Sequence, residues 1–181
     1  MGLIRWFKRR RFAKQMKKGK IPRGRTDIMG GANIKVKTKT TARHLRNGRE
    51  IGRREIFNRK VTTAFVNDIV DNLITETSAF GDYKYHDSGI GTNSESASDT
   101  ALQTPTGVAR AAGTQVEGAE TYEYKSVATI TYDGSYAVTE HGVFNASSSG
   151  TLMDRTVFSA INVANNDQIE FTFTIQFSAE S

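Results

Sequence analysis

Gln168-Ile169-Glu170-Phe171-Thr172-Phe173-Thr174-Ile175-Gln176-Phe177 is the stretch that decides the fold. Ile169, Phe171, Phe173, Ile175 and Phe177 alternate strictly with polar residues. A period of two is the signature of a strand with one buried face and one wet or polar-packed face. Upstream, Leu152–Val163 is separated from it by Ala164-Asn165-Asn166-Asp167 and preceded by Ser147-Ser148-Ser149-Gly150, both turn compositions. Tyr122–Tyr132 and Tyr136–Phe144 flank Asp133-Gly134-Ser135, a hairpin signal. Four successive strands with short turns imply an antiparallel meander or a sandwich.

Further upstream the pattern changes. Residues 81–120 are rich in Gly, Ser, Thr and Ala and read as a long, mostly irregular stretch, with Gly89-Ile90-Gly91 and Gly113-Thr114 as turn punctuation. A loop of that length tends to be functional or to lie against a partner. Residues 58–77 carry Val61, Phe65, Ile69, Val70, Leu73 and Ile74 at helical spacing, with Asn58 as a cap and Asn67, Asp68, Asp71 and Glu76 off the stripe. This reads as a core-packing helix. The expected fold class is therefore α+β with β predominating: an antiparallel β-sandwich or meander, one packed helix, and an extended basic N-terminal arm.

That arm is the strongest departure from average composition. The chain of 181 residues carries a formal net charge of +6, but residues 1–60 hold 21 Lys and Arg against 3 acids, a net of +18, and the remainder is −12. Such asymmetry marks an interaction tail. The division it suggests is an arm over residues 1–57 and a helix-plus-sandwich body over 58–181. Leu3, Phe7, Phe12 and Met16 allow a short amphipathic helix over about residues 3–18. Its Lys and Arg would repel at i,i+4 spacing without a partner to supply negative charge. Residues 33–41 alternate Lys35, Lys37 and Lys39 with Ile34, Val36 and Thr38, a strand with one basic face and no evident hairpin partner. Residues 43–60 stay basic without a clear period.

Arg5, Trp6, Phe7, Lys8, Arg9, Arg10, Arg11, Phe12, Lys35, Lys37 and Lys39 are the candidate partner-binding residues. The cations can pair with carboxylates or phosphates, and the aromatic residues can bury into a protein partner or stack on bases. The target is therefore nucleic acid or an acidic protein surface, including that of a neighbouring copy.

The search for catalysis gives nothing comparable. His44, His86 and His141 read as turn or surface histidines, and no G-x-S-x-G elbow is present. His86-Asp87 and Glu140-His141 lack the spacing that sets two metal ligands on one helical face. Gly89-x-Gly91 lacks the third glycine of a dinucleotide fingerprint. No enzyme, metal or cofactor is expected. With no cysteine in the chain, synthesis in a reducing host cytoplasm is the simplest expectation. No apolar run approaches the ~18 residues of a membrane span. The N-terminus places its apolar residues before the basic cluster, the reverse of a signal peptide.

A set of ordered short motifs adds a resemblance. Val61-Thr62-Thr63-Ala64 is followed by Tyr85-His86-Asp87-Ser88-Gly89-Ile90-Gly91-Thr92, Ala97-Ser98-Asp99-Thr100-Ala101-Leu102 and Ala109-Arg110-Ala111-Ala112-Gly113-Thr114. Then come Tyr124-Lys125-Ser126-Val127-Ala128-Thr129, Val138-Thr139-Glu140-His141-Gly142 and Gly150-Thr151-Leu152-Met153-Asp154-Arg155-Thr156-Val157-Phe158. This order resembles a group of small structural proteins of tailed bacteriophages, over about two thirds of the chain. The resemblance implies a non-enzymatic virion component with no catalytic residues to carry over. It implies partners among the major capsid protein or other virion proteins, and a homo-oligomer is expected. A capsid decoration or cement subunit is the first expectation. A tail, connector or fibre-attachment protein is the second, and a nucleic-acid-binding protein using the basic arm is the third.

Overall fold

The computed structural model describes residues 34–57, 60–75 and 79–179. The candidate residues Arg5 through Phe12, the amphipathic stretch 3–18 and the proposed cap Asn58 lie outside them. Residues 35–178 form one compact unit.

Among the described residues ten strands build two five-stranded sheets: β1 (Ile34–Arg46), β2 (Arg49–Phe57), β3 (Lys60–Val61), β4 (Tyr85–Gly89), β5 (Ala111–Ala112), β6 (Thr114–Glu117), β7 (Glu123–Thr131), β8 (Tyr136–Phe144), β9 (Leu152–Val163) and β10 (Gln168–Ala179). One sheet, here A, runs β2-β1-β10-β7-β6; the other, B, runs β3-β9-β8-β4-β5. A helix, α1 (Thr63–Thr75), and a 3-10 turn (Ala79–Asp82) lie between β3 and β4. The fold is predominantly antiparallel β with a single helix among the described residues, as the sequence predicts.

β10 is the strand that the alternation predicts. Ile169, Phe171, Phe173 and Ile175 are fully buried, and Phe177 packs half-buried against the same core. Gln168, Glu170, Thr172, Thr174 and Gln176 form the other face. Facing the apolar side of β10 from sheet B are Val138, Phe158, Ile161 and Val163, which close one core cluster with Ile169 and Phe171. Burying a side chain of this size stabilises by ~1.5–3 kcal/mol. The layers are also tied by a polar link, Thr40 Oγ1 to Thr156 Oγ1 at 3.1 Å.

Several expectations change. Residues 34–57 are not part of an extended arm but the β1–β2 hairpin of sheet A. Its turn is Asn47-Gly48, with φ of 50° and 74°, the left-handed pair that a two-residue primed hairpin needs. β1 therefore finds its partner within its own chain, and a register shift between His44 and Leu45 hides the period of the basic stretch. Asp133-Gly134-Ser135 does not close a hairpin either. β7 pairs with β10 in sheet A and β8 pairs with β9 in sheet B, so this turn carries the chain from one layer to the other. Three strands, β4 to β6, fall in the stretch expected to be irregular.

The helix is shorter than its apolar stripe. Thr62 caps it, its Oγ1 accepting from Phe65 N at 3.2 Å, while the same hydroxyl donates to Leu152 O. Phe65 is buried, but Val66, Val70, Leu73 and Ile74 are 51%, 52%, 74% and 71% exposed. The inner face instead holds Asp68 and Asn72: Tyr83 donates its hydroxyl to Asp68 at 2.9 Å and Asn72 bonds back to the same residue. The polar anchor rotates the stripe outward, so half of what reads as core in the sequence is surface.

Candidate functional site

The outer face of sheet A follows directly from the strand alternation. Side chains at odd positions of β1 point away from the core, and β10 and β7 continue that face with Thr172, Thr174, Gln176 and Lys125. Curvature makes it a groove of ≈ 670 Å³. Its lining carries Lys37, Lys39, Arg43, Arg53 and Lys125 against Glu55 and Glu123, a net of +3. Phe57 sits on the same wall, 55% exposed, with Lys39 Nζ 5.1 Å from its ring centroid.

Of the sequence-predicted residues, Lys37 and Lys39 line this groove and Lys35 is exposed next to them on β1. Lys39 pairs with Glu55 at 3.3 Å. Arg43 reaches Glu50 at 2.7 Å and Glu170 at 2.5 Å, and Arg53 reaches Glu50 at 3.1 Å. The guanidiniums of Arg53 and Arg43 hold the Glu50 carboxyl down at about 2. Lys37 and Lys125 have no ionic partner among the described residues. Arg43, Arg53, Lys125 and Phe57 were not singled out in the sequence because their convergence depends on the hairpin register and on β7 lying two strands away.

A second cluster lies inside sheet B. Glu140 and Arg155 are neighbours across β8 and β9, both essentially unexposed. Arg155 Nε donates to Glu140 Oε2 at 2.7 Å, and its other nitrogens donate to Asp99 at 3.0 Å and Asn93 at 2.5 Å. Glu140 also accepts from Gly91 N, Gln103 N and Thr104 N at 3.0, 3.0 and 2.8 Å. Burial pushes its carboxyl up, but the amides of Thr104 and Gln103 and the guanidinium outweigh that and hold it below its ordinary value. The arrangement folds the long segment 90–105 onto its own sheet. At the far end Arg110 bonds Asp87 at 3.0 Å and the carbonyls of Ala146 and Ser149, stacked 3.5 Å over Phe144.

This cluster explains Gly89 and Gly91 differently from the expected turn. A Cβ at either would lie 2.4 or 2.5 Å from Glu140 Oε1. The glycines let the backbone approach a buried carboxylate, a use of glycine with no positive φ.

All three histidines are buried, contrary to expectation. His86 Nδ1 lies 2.9 Å from His141 Nε2, and His86 Nε2 lies 2.8 Å from Ser126 Oγ. His141 Nδ1 has no hydrogen-bond partner among the described residues, and its ring stacks on Phe171 at 4.2 Å. An orphaned acceptor costs less than an orphaned donor, so His141 Nε2–H donates to His86 and His86 Nε2–H donates to Ser126. Burial drives the His86 pKa down to about 3 and that of His141 well below the ordinary value. Ser126 is fully buried, and its Oγ accepts the hydrogen bond from His86 rather than giving up its proton to it. The relay is a core bracket. His44 instead meets Asp167 at 2.9 Å, beside Arg46, whose two bonds drive the Asp167 pKa far down.

The third feature is apolar. Beside α1, Phe65, Ile69, Tyr124, Met153, Ile175 and Phe177 line a pocket of ≈ 300 Å³, next to the exposed Val66, Val70, Leu73 and Ile74. Among the described residues no group of acids and histidines is placed to hold a metal ion, and no helix is long and apolar enough to cross a membrane. Comparison with protein-family models, curated proteins and solved structures returns no match.

Proposed function

We propose that the protein is a non-enzymatic structural subunit of a tailed-bacteriophage virion, a capsid decoration or cement subunit that binds the major capsid protein. A tail, connector or fibre-attachment subunit is the alternative place for the same kind of molecule. The observation that carries the reading is the outward-facing apolar side of α1 on a body whose interior is otherwise closed by specific bonds. A contiguous group such as Val66, Val70, Leu73 and Ile74 is the kind of patch that marks a protein contact rather than a free surface. The order of short motifs, which resembles that of tailed-bacteriophage structural proteins, suggests the setting. The N-terminal segment adds cations and three aromatic residues suited to an acidic protein surface, giving register through charge and affinity through burial.

Nucleic-acid binding is a second reading, favoured by one specific feature: Phe57 lies open in a cationic groove with Lys39 above it, the elements of a stacking platform. One experiment separates the two. Binding of the full chain and of a form lacking residues 1–33 is measured against DNA-free phage shells and against single- and double-stranded DNA across a salt series. Saturable shell binding that weakens at least tenfold without residues 1–33, with little DNA affinity, is expected. Steeply salt-dependent DNA binding with no shell binding would overturn the structural-subunit reading.

A further inference from the structure

The turn between β6 and β7 and the groove of sheet A hold charges that the body leaves unmatched. Among the described residues, Glu117 and Glu120 are the two acids whose carboxylates make no hydrogen bond or ion pair. Both are exposed, and residues 114–124 contain no Lys or Arg. In the groove, Lys37 and Lys125 have no ionic partner among the described residues. We infer that two copies of the chain pair about a two-fold axis, with the turn 117–122 of each lying in the sheet A groove of the other.

The turn is already shaped for this. Gly118 N donates to Glu123 O at 2.8 Å, Glu123 N donates to Glu120 O at 3.0 Å, and Ala119 N donates to Glu123 Oε2 at 3.0 Å. A segment held this way loses little freedom on docking. It presents Tyr122, 47% exposed, beside its two unmatched carboxylates. The spacing agrees as well. β1 and β7, which carry Lys37 and Lys125, are separated by β10 alone, a backbone distance of ~10 Å. Glu117 and Glu120 are three residues apart, at most ~10 Å of chain. With the carboxylates on those two lysines, Tyr122 would meet Phe57, the exposed aromatic of the groove wall. Glu123 lines the groove and also belongs to the turn, so donor and acceptor surfaces lie side by side. A two-fold axis then sets the acidic end of each face on the cationic part of the other, makes both contacts at once and closes the assembly at a dimer. The contact is independent of the virion reading: a chain that failed to bind shells would still pair by it.

Exchanging the charges tests the pairing without touching the core. Glu117→Lys with Glu120→Lys reverses the turn; Lys37→Glu with Lys125→Glu reverses the groove. Sedimentation velocity of the full chain over a concentration series, at low and high salt, reads the association, with circular dichroism confirming the fold of each variant. The wild type should form a dimer that weakens as salt rises, and each variant alone should associate at least tenfold more weakly, because its turn and groove then carry like charge. Mixed, the two variants should form 1:1 dimers of about wild-type strength, since both contacts are opposite in charge again. A wild type that stays monomeric, variants that associate as strongly as wild type, or a mixture that remains monomeric would each overturn the inference. So would assemblies larger than the dimer that both variants abolish, which would mean a head-to-tail contact. A monomeric wild type that binds a single-stranded oligonucleotide through Lys37 and Lys125 would assign the groove to nucleic acid instead.

Discussion

Glu140–Arg155 in sheet B and Arg43–Glu50–Arg53 in sheet A are built from the same two kinds of side chain and have opposite uses. The first pair is fully buried, and its other partners, Gly91, Asn93, Asp99, Gln103 and Thr104, all lie in segment 90–105. The second lies about one third to one half exposed at the edge of a groove. Buried charges whose partners are all supplied fix a conformation, whereas exposed pairs are screened and leave their surface available. The difference separates the part of the molecule that holds its shape from the part that meets others.

The sharpest way to break this comparison is to remove one buried partner. Arg155→Met leaves Glu140 ionised or forces it to take a proton inside the sheet, and a severed buried pair typically costs ~3–5 kcal/mol. Urea unfolding should show a loss of that order; a loss under ~1 kcal/mol would mean that the pair does not organise the loop.

The buried histidines give the next effect. Both have folded-state pKa values well below 6.5, so below that pH the unfolded chain binds protons that the native protein refuses. Stability contributed by their neutral forms is complete above pH 6.5 and declines as the pH falls towards about 3, the folded value of His86. Each histidine adds a slope of up to ~1.4 kcal/mol per pH unit in that window. Denaturant melts between pH 7 and 5 should show the decline, and His86→Gln should flatten it. A wild-type stability constant over that range would contradict the burial of the pair.

Smaller still is the effect of a methyl group at Gly91. Its Cβ would press on Glu140 Oε1 and Gln103, and overpacking of this kind costs ~1–3 kcal/mol. Gly91→Ala should lose stability in the same urea assay, whereas Gly81→Ala, where a Cβ meets nothing within 4 Å, should not. The least change is expected at the surface pair: Arg53→Ala should stay within ~1 kcal/mol of wild type.

How much of this was readable beforehand depends on whether the information is local. The alternation of β10 shows both its faces, and the bounds of the three preceding strands follow from their turns. Sheet membership does not, because Asp133-Gly134-Ser135 reverses the chain equally well within a sheet or between two. Asn47-Gly48 was a legible hairpin signal, obscured by the density of charge around it and by the register shift beside it. Apolar spacing in α1 revealed the helix but not its rotation, which is set by Tyr83 and Asp68, fifteen residues apart. The buried clamp was beyond local reading, since Gly91, Asn93, Asp99, Gln103, Glu140 and Arg155 meet only once both strands and loop are in place.

The central claim is that interior charges hold the body while the outer faces serve partners, and amide hydrogen exchange tests it most directly. The amides of Gly91, Gln103 and Thr104 should exchange in the free protein as slowly as those of the sheet strands. Addition of DNA-free shells should then add protection at α1 or along the β1–β2 face, with none gained in segment 90–105. Fast exchange of those three amides in the free protein, or new protection confined to 90–105, would contradict the account.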